Sequence, residues 1–308
     1  MKVVVAGATG FVGVRLVEQL HSLGHAVVVL ARDAQKAMRQ FPKAVFPNVD
    51  VVSYTPTVPG EWGKGFSDCD GVVNLAGAPL SETPWSKSRK QEILESRQLG
   101  THQIVAAIKA ASPKPKVLVN ASAVGYYGTD TTQAFDEYSL GGSDFLAGVC
   151  KAWEAEADAA EALEVRVVKL RNGIVMGLGG GFLGKVMPIF QLGAGGKIGS
   201  GKQWISWIHR DDLVNLIIFA LTNEQIKGAV NATTPNPVTN EEFTQALAQA
   251  VKRPALLPVP AFALQALLGE AAILALEGQK VLPKKAEQGG FQFQYPAIDL
   301  ALAQIVKT

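Results

Sequence analysis

The stretch VVVAGATGFVGVRL, residues 3–16, decides how the rest of the chain is read. Its opening valines form a short, β-branched apolar run, the pattern of a strand buried on both faces. Glycines follow at 7, 10 and 13, while Val12, Leu16, Val17 and Leu20 recur at helical spacing up to Gly24. A strand that turns at once into a helix brings the bare amides of the helix N-terminus to one point. Glycine supplies the backbone angles of that turn and removes the Cβ that would hold a phosphate away. A glycine triplet alone is weak evidence. Set between an N-terminal apolar strand and an amphipathic helix, it predicts a pyrophosphate cradle made of Gly7, Thr9, Gly10, Phe11, Val12 and Gly13.

Outward from this corner, strand and helix signals alternate. AVVVLAR (26–32), VDVVSY (49–54), DGVVNLAG (70–77), KVLVNAS (116–122) and VRVVKLR (165–171) read as strands, and 88–111 and 148–163 as helices. That order predicts an α/β fold with a doubly wound, mostly parallel sheet of the Rossmann type. Past residue 172 the segments MGLGGGFLGK and LGAGGKIGSGKQ suit loops around a cleft. RDDLVNLIIFAL (210–221) returns to a helix, and GAVNAT (228–233) to a short strand that extends the sheet. TNEE (239–242) is a capping box opening a helix through Val251. The expected organisation is a dinucleotide-binding domain over 1–172, rejoined by 206–234, and a smaller C-terminal α/β lobe over 173–205 and 235–308.

The apolar run 255–276 is long enough on paper to cross a bilayer, but Pro258, Pro260, Gln265, Gly269 and Glu270 interrupt it. It reads as a strand followed by apolar helices buried in the second lobe, so no membrane span is expected. With 29 basic and 27 acidic residues the net charge is +2, and no basic stripe appears, which argues against nucleic acid. Cys69, Cys150 and the four scattered histidines give no metal-ligand spacing and no disulfide framework. MKVVVAG enters an apolar strand without a charged leader; the expectation is a cytoplasmic protein, with a processed organellar form as the alternative.

The second strand ends VVLARD, placing Arg32 where a carboxylate would hold the ribose 2′-hydroxyl of NAD. A guanidinium there pairs with a 2′-phosphate, so the cofactor expected is NADP(H), although Asp33 follows directly.

With its glycine spacing, NLAG (74–77) and NASAVGYYG (120–128), the chain resembles the extended short-chain dehydrogenase/reductase superfamily, which contains the nucleotide-sugar epimerases. It is more closely similar to an atypical branch of epimerase family proteins. The motifs carrying this likeness are SRQLGT (96–101), DFLAGVCKAWE (144–154), LRNGIVMG (170–177), SWIHRDDL (206–213) and the C-terminal GQKVLPKKAEQGGFQFQYP (278–296). The resemblance implies cofactor contacts from Leu75, Ala76 and Gly77. It also implies a catalytic Ser122 and a Lys151 that holds the nicotinamide ribose, with a tyrosine four residues before that lysine.

That position is Ala147, which has no proton to give. Tyr126 and Tyr127 are the candidates to replace the acid, with Glu137 and His209 behind them. Arg97 lines the cleft or forms a surface salt bridge; Trp204 and Trp207 pack the second lobe. Two functions follow from the resemblance: an NADP-dependent oxidoreductase or epimerase-like enzyme on a small hydroxyl or carbonyl compound, or a non-catalytic dinucleotide-binding regulator of cell or plastid division with a protein partner. The oligomeric state is a monomer or a homodimer formed through 88–111 and 143–163.

Overall fold

The computed structural model describes residues 1–307. Its centre is a seven-stranded parallel sheet. The strands are β1 (Lys2–Ala6), β2 (Ala26–Ala31), β3 (Val49–Ser53), β4 (Gly71–Asn74), β5 (Val117–Ala123), β6 (Arg166–Asn172) and β7 (Gly228–Ala232), in the spatial order β7-β6-β5-β4-β1-β2-β3. The order reverses between β1 and β4, which opens a crevice beyond their carboxyl ends where ligands of such sheets sit.

Strand alternation sorts the side chains into two layers. Val3 and Val5 face a core with Leu16, Val17 and Leu20 of α1 (Phe11–Ser22). Val4 and Ala6 face the opposite core, where Ile104 and Ile108 sit on α3 (Lys87–Ala110); the short α2 (Ala34–Gln40) lies on the α1 side. Each fully buried Val or Leu contributes about 1.5–3 kcal/mol, so two continuous layers hold the sheet rigid beneath the crevice. Helix α4 (Phe145–Asp158) joins the α3 side through Ala157.

After β6 the chain leaves the sheet, forms α5 (Gly181–Gln191), and returns through α6 (Arg210–Thr222), whose Leu213 and Ile217 complete the α1-side core before β7. A further core joins Leu183, Met187 and Phe190 of α5 to Trp207, to Phe243 and Leu247 of α7 (Asn240–Val251), and to Leu302 and Ile305 of the closing helix Ile298–Lys307. Thr239 and Glu242 form the reciprocal capping box at the start of α7. The short strand Gln279–Val281 pairs with Asp130–Phe135 and brings the C-terminal segment over the crevice.

The run 255–276 departs from expectation. Only Val259 makes a bridge, to Ile198, and α8 (Ala261–Leu268) buries none of its residues. Phe262 and Leu267 are 73% and 71% exposed, while Ala271 and Ala272 are buried. Sequence AFALQALL spreads its apolar residues over most of the helix surface, broken only by Gln265, so it presents no single stripe to a core, and the flanking Pro260 and Gly269 confine it to about two turns. Among the described residues, no helix is long and apolar enough to cross a membrane.

Candidate active site

The corner between β1 and α1 is closed by backbone contact. Gly7 has φ +77°, and a Cβ there would lie 2.7 Å from the Leu75 carbonyl carbon after β4. A Cβ on Gly13 would meet the Gly7 carbonyl oxygen and approach Ala8 Cα to 2.6 Å. Gly10 caps α1 without a side-chain hydrogen bond, and the first turn carries no acid. The helix amides and dipole therefore face outward without a competing carboxylate. This is a fit for a pyrophosphate. Thr9 is exposed on the turn.

From this corner a cavity of about 470 Å³ extends along the carboxyl ends of β4, β5 and β6. Phe11, Val12 and Leu75 border its end at the glycine corner; Ser122 lies at its floor; Ile273, Glu277 and Gln279 of the C-terminal segment form its far wall. Trp204 and Ser206 also line it, whereas Trp207 is fully buried in the further core. Arg32 is exposed at the end of β2, open to a ligand on that side. The Ala76 amide donates to Asn74 Oδ1, and Gly77 packs so closely that a Cβ would be 3.1 Å from Arg97 Cζ.

Below the cavity floor lies a buried polar network. Ser122 Oγ donates to Glu154 Oε1 at 2.7 Å. Arg171 grips the same carboxylate through Nε at 2.8 Å and Nη2 at 2.9 Å. Its Nη1 donates to Tyr127 Oη at 3.0 Å, and Tyr127 donates in turn to Asn231 Oδ1 at 2.7 Å. The guanidinium also lies 3.4 Å from the centroid of the Tyr126 ring. Burial alone would lower the Arg171 pKa, but the Glu154 hydrogen bonds and charge outweigh it and hold the group above its ordinary value. Burial pushes the Tyr127 hydroxyl up to about 12 despite the nearby guanidinium.

The residues expected to carry proton chemistry are thus divided. Ser122 lines the cavity, but Tyr127 is only 3% exposed, points into the network and does not line it. Tyr126 serves as the platform for Arg171 and is also absent from the cavity wall. Lys151 is exposed on α4, its Nζ donating to the Gly142 carbonyl at 2.7 Å. The face that α4 turns to the cavity carries Leu146, Val149, Cys150 and Trp153. A tyrosine and lysine four apart on that face would have to stand at Leu146 and Cys150, so the register over Ala147 and Lys151 is one residue out. One residue is about 100° of helix, which turns Lys151 from the cleft to solvent. Burial, with the Glu154 charge, pushes the Cys150 thiol up to about 11, so it stays protonated at neutral pH.

Glu137 and His209 are structural. Glu137 accepts from the Asn231 and Lys285 amides, and burial raises its pKa. His209 caps α6 by accepting from the Asp211 amide, lies 3.1 Å from Gln304 Oε1 through Nε2, and packs on Tyr295 at 4.0 Å. Arg97, by contrast, does line the cavity. Its Nη1 donates to the Ile93 carbonyl, its guanidinium stands over Trp153 at 5.1 Å, and it has no carboxylate partner among the described residues. Glu154 and Arg171 were not anticipated as a pair. The available signal was a basic residue on a strand otherwise buried, since such a charge calls for an acid nearby.

Comparison with known proteins adds the family. The model described as "NAD dependent epimerase/dehydratase family" matches residues 3–232. The chain belongs to that family. A second model, "Domain of unknown function (DUF1731)", matches residues 259–305, the part of this family member that supplies the far wall of the cavity. The "Epimerase family protein SDR39U1 homolog, chloroplastic" of Arabidopsis thaliana is 49% identical, covering 100% of this chain and 87% of that protein. Epimerase family protein YfhF of Bacillus subtilis is 36% identical over 99% of this chain and 98% of its own length. The crystal structure of human epimerase family protein SDR39U1 (isoform 2) with NADPH superimposes with a TM-score of 0.87 at 34% identity, over 100% of both chains.

Proposed function

We propose that the protein binds NADP(H) and is an oxidoreductase or epimerase-like enzyme acting on a small hydroxyl or carbonyl compound. The observation that carries this reading is the continuity of one cavity from the glycine corner to Ser122 and Arg97. The NADPH in the human relative's crystal structure supports the choice of cofactor. Gly7, Gly10 and Gly13 hold the pyrophosphate, Arg32 takes the 2′-phosphate, and Leu75, Ala76 and Gly77 border the cofactor along β4. When bound, NADPH supplies a hydride.

The chain's own part is to orient the substrate and manage its proton. Ser122 commits its hydroxyl hydrogen to Glu154, leaving oxygen lone pairs free to accept from a substrate hydroxyl. In the direction in which NADP⁺ would accept a hydride from that hydroxyl carbon, Glu154 can take the proton released through Ser122; in the reverse direction, with NADPH supplying the hydride to a carbonyl, the same path would return that proton to the carbonyl oxygen. The apolar walls at Leu146 and Val149 exclude water from the site.

Titration with NADPH and NADH, followed by a screen of bound NADPH fluorescence against aldehydes and ketones, tests the reading. The expected result is tighter NADPH binding, oxidation by some carbonyl compound, and loss of that turnover in Ser122→Ala with NADPH binding retained. A second reading, a dinucleotide-binding regulator working through a protein partner, is favoured by Leu146 and Cys150 on the cleft face of α4. Tight NADPH binding without turnover across the screen would select it.

A further inference from the structure

The fold treats two arginines in opposite ways: Arg171, buried beneath the cavity floor, and Arg97, half-buried in the cavity wall. Arg171, where the role is structural, receives a full complement: both oxygens of Glu154, a tyrosine hydroxyl and an aromatic platform. Arg97 receives one backbone carbonyl and the face of Trp153. Its side chain is stationed there by packing, since Gly77 leaves a gap that any Cβ would close against the guanidinium. The other carboxylates lining the cavity are engaged elsewhere. Asp144 caps α4 by accepting from the Ala147 amide, and Glu277 accepts from the Thr129 hydroxyl.

A guanidinium has five donors in a planar fork, and a desolvated one is stabilised by a carboxylate that meets the fork with two oxygens. The surroundings set the rest of the ligand. Leu80, Leu146, Val149 and Trp153 are apolar, so a body attached to the anion meets hydrocarbon and aromatic surface. We propose that Arg97 is a substrate anchor and that the cleft takes small carboxylic acids with an apolar aliphatic or aromatic body. This rests on the reading of the cavity as a cofactor-and-substrate site and adds the class of substrate. Burial holds the Arg97 pKa down to about 10, opposed by Cys150 and reinforced by the Arg89 charge; the group remains a cation at neutral pH.

The test uses protein saturated with NADPH and a calorimetric titration with isovalerate, phenylacetate and 4-phenylbutyrate, each beside its primary amide. At least one acid is expected to bind about 10- to 100-fold more tightly than its amide, the value of charge-assisted hydrogen bonds. Arg97→Gln should bring that acid to the level of its amide, Arg97→Lys should fall between, and NADPH affinity should stay within about threefold of the parent. Acids and amides binding alike, or no acid binding, would overturn the inference on the unaltered protein, whatever the variants do. So would an Arg97→Gln protein that binds the acid normally, or one that keeps its fold and loses NADPH, which would give Arg97 to the cofactor. Failure of the unaltered protein to bind NADPH is read before any acid is added and counts against the underlying function instead.

Discussion

Replacing Glu154 by alanine would leave the Arg171 guanidinium buried with two of its donors unpaired and would strip Ser122 of its acceptor. The two side chains are only 6% and 5% exposed, so water cannot substitute without opening the core beneath β5 and β6. Removing one partner of such a pair costs about 3–5 kcal/mol, a large part of the roughly 5–15 kcal/mol that holds a protein folded. Over 308 residues, an unfolding entropy of about 2.1 cal/mol/K per residue amounts to about 650 cal/mol/K, which converts that cost into a fall in Tm of about 5–8 °C. Urea unfolding and thermal melting of the parent and Glu154→Ala measure it. Glu154→Gln keeps one acceptor oxygen and should lie between them, and the double change Glu154→Leu with Arg171→Met should recover most of the loss because no charge is left buried. A Glu154→Ala protein within about 2 °C of the parent would refute the reasoning, since a pair that costs nothing to break was not desolvated.

Four further outcomes follow from the geometry. Arg32→Glu should weaken NADPH binding by about 10- to 100-fold and NADH binding far less, by fluorescence titration; equal losses would sink the 2′-phosphate assignment. Gly13→Ala should cost about 1–3 kcal/mol in urea unfolding and weaken NADPH, because its Cβ must push α1 off the Gly7–Ala8 backbone; unchanged stability would mean the corner is looser than described. Lys151→Met should leave NADPH affinity within about threefold, since its amine is engaged with Gly142 at the surface; a larger loss would return it to the cofactor site. Burial, opposed by the Asp211 charge, lowers the His209 pKa, so below about pH 6.5 the unfolded chain binds the proton first. Its stabilising contribution is complete above that pH and is lost as pH falls through the folded value, at no more than about 1.4 kcal/mol per pH unit. His209→Asn keeps an N-cap without a titrating ring. Parallel urea midpoints for the two proteins from pH 7.5 to 5.5 would contradict this.

The parts legible in the sequence were those written in local pattern. The alternating strands, the glycine corner and the Thr239–Glu242 capping box depend on neighbours a few residues away, and each is where its pattern put it. The phase of α4 relative to the cavity was not legible in that way. On α4 a shift of one residue separates Lys151 in solvent from Cys150 on the cavity wall, and a run of residue types carries no phase angle. Tyr126 and Tyr127 lie on the expected loop, but their direction is set by Arg171 and Asn231, which are distant in sequence. For Arg97 the sequence leaves cleft and surface salt bridge both open, and only the tertiary fold shows that no acid among the described residues reaches it. For 255–276, hydrophobicity alone could not say whether an apolar segment is covered.

The glycine corner carries one more consequence. Gly7 and Gly13 are required by backbone lying against backbone inside the protein, whatever ligand is present. Selection for folding alone would therefore preserve them in a descendant that had stopped using a dinucleotide, while the side chains on the cleft face of α4 could drift. The glycines at residues 7–13 therefore report on the scaffold, and a change of ligand would show first at cavity-lining side chains such as Arg97, Leu146 and Cys150.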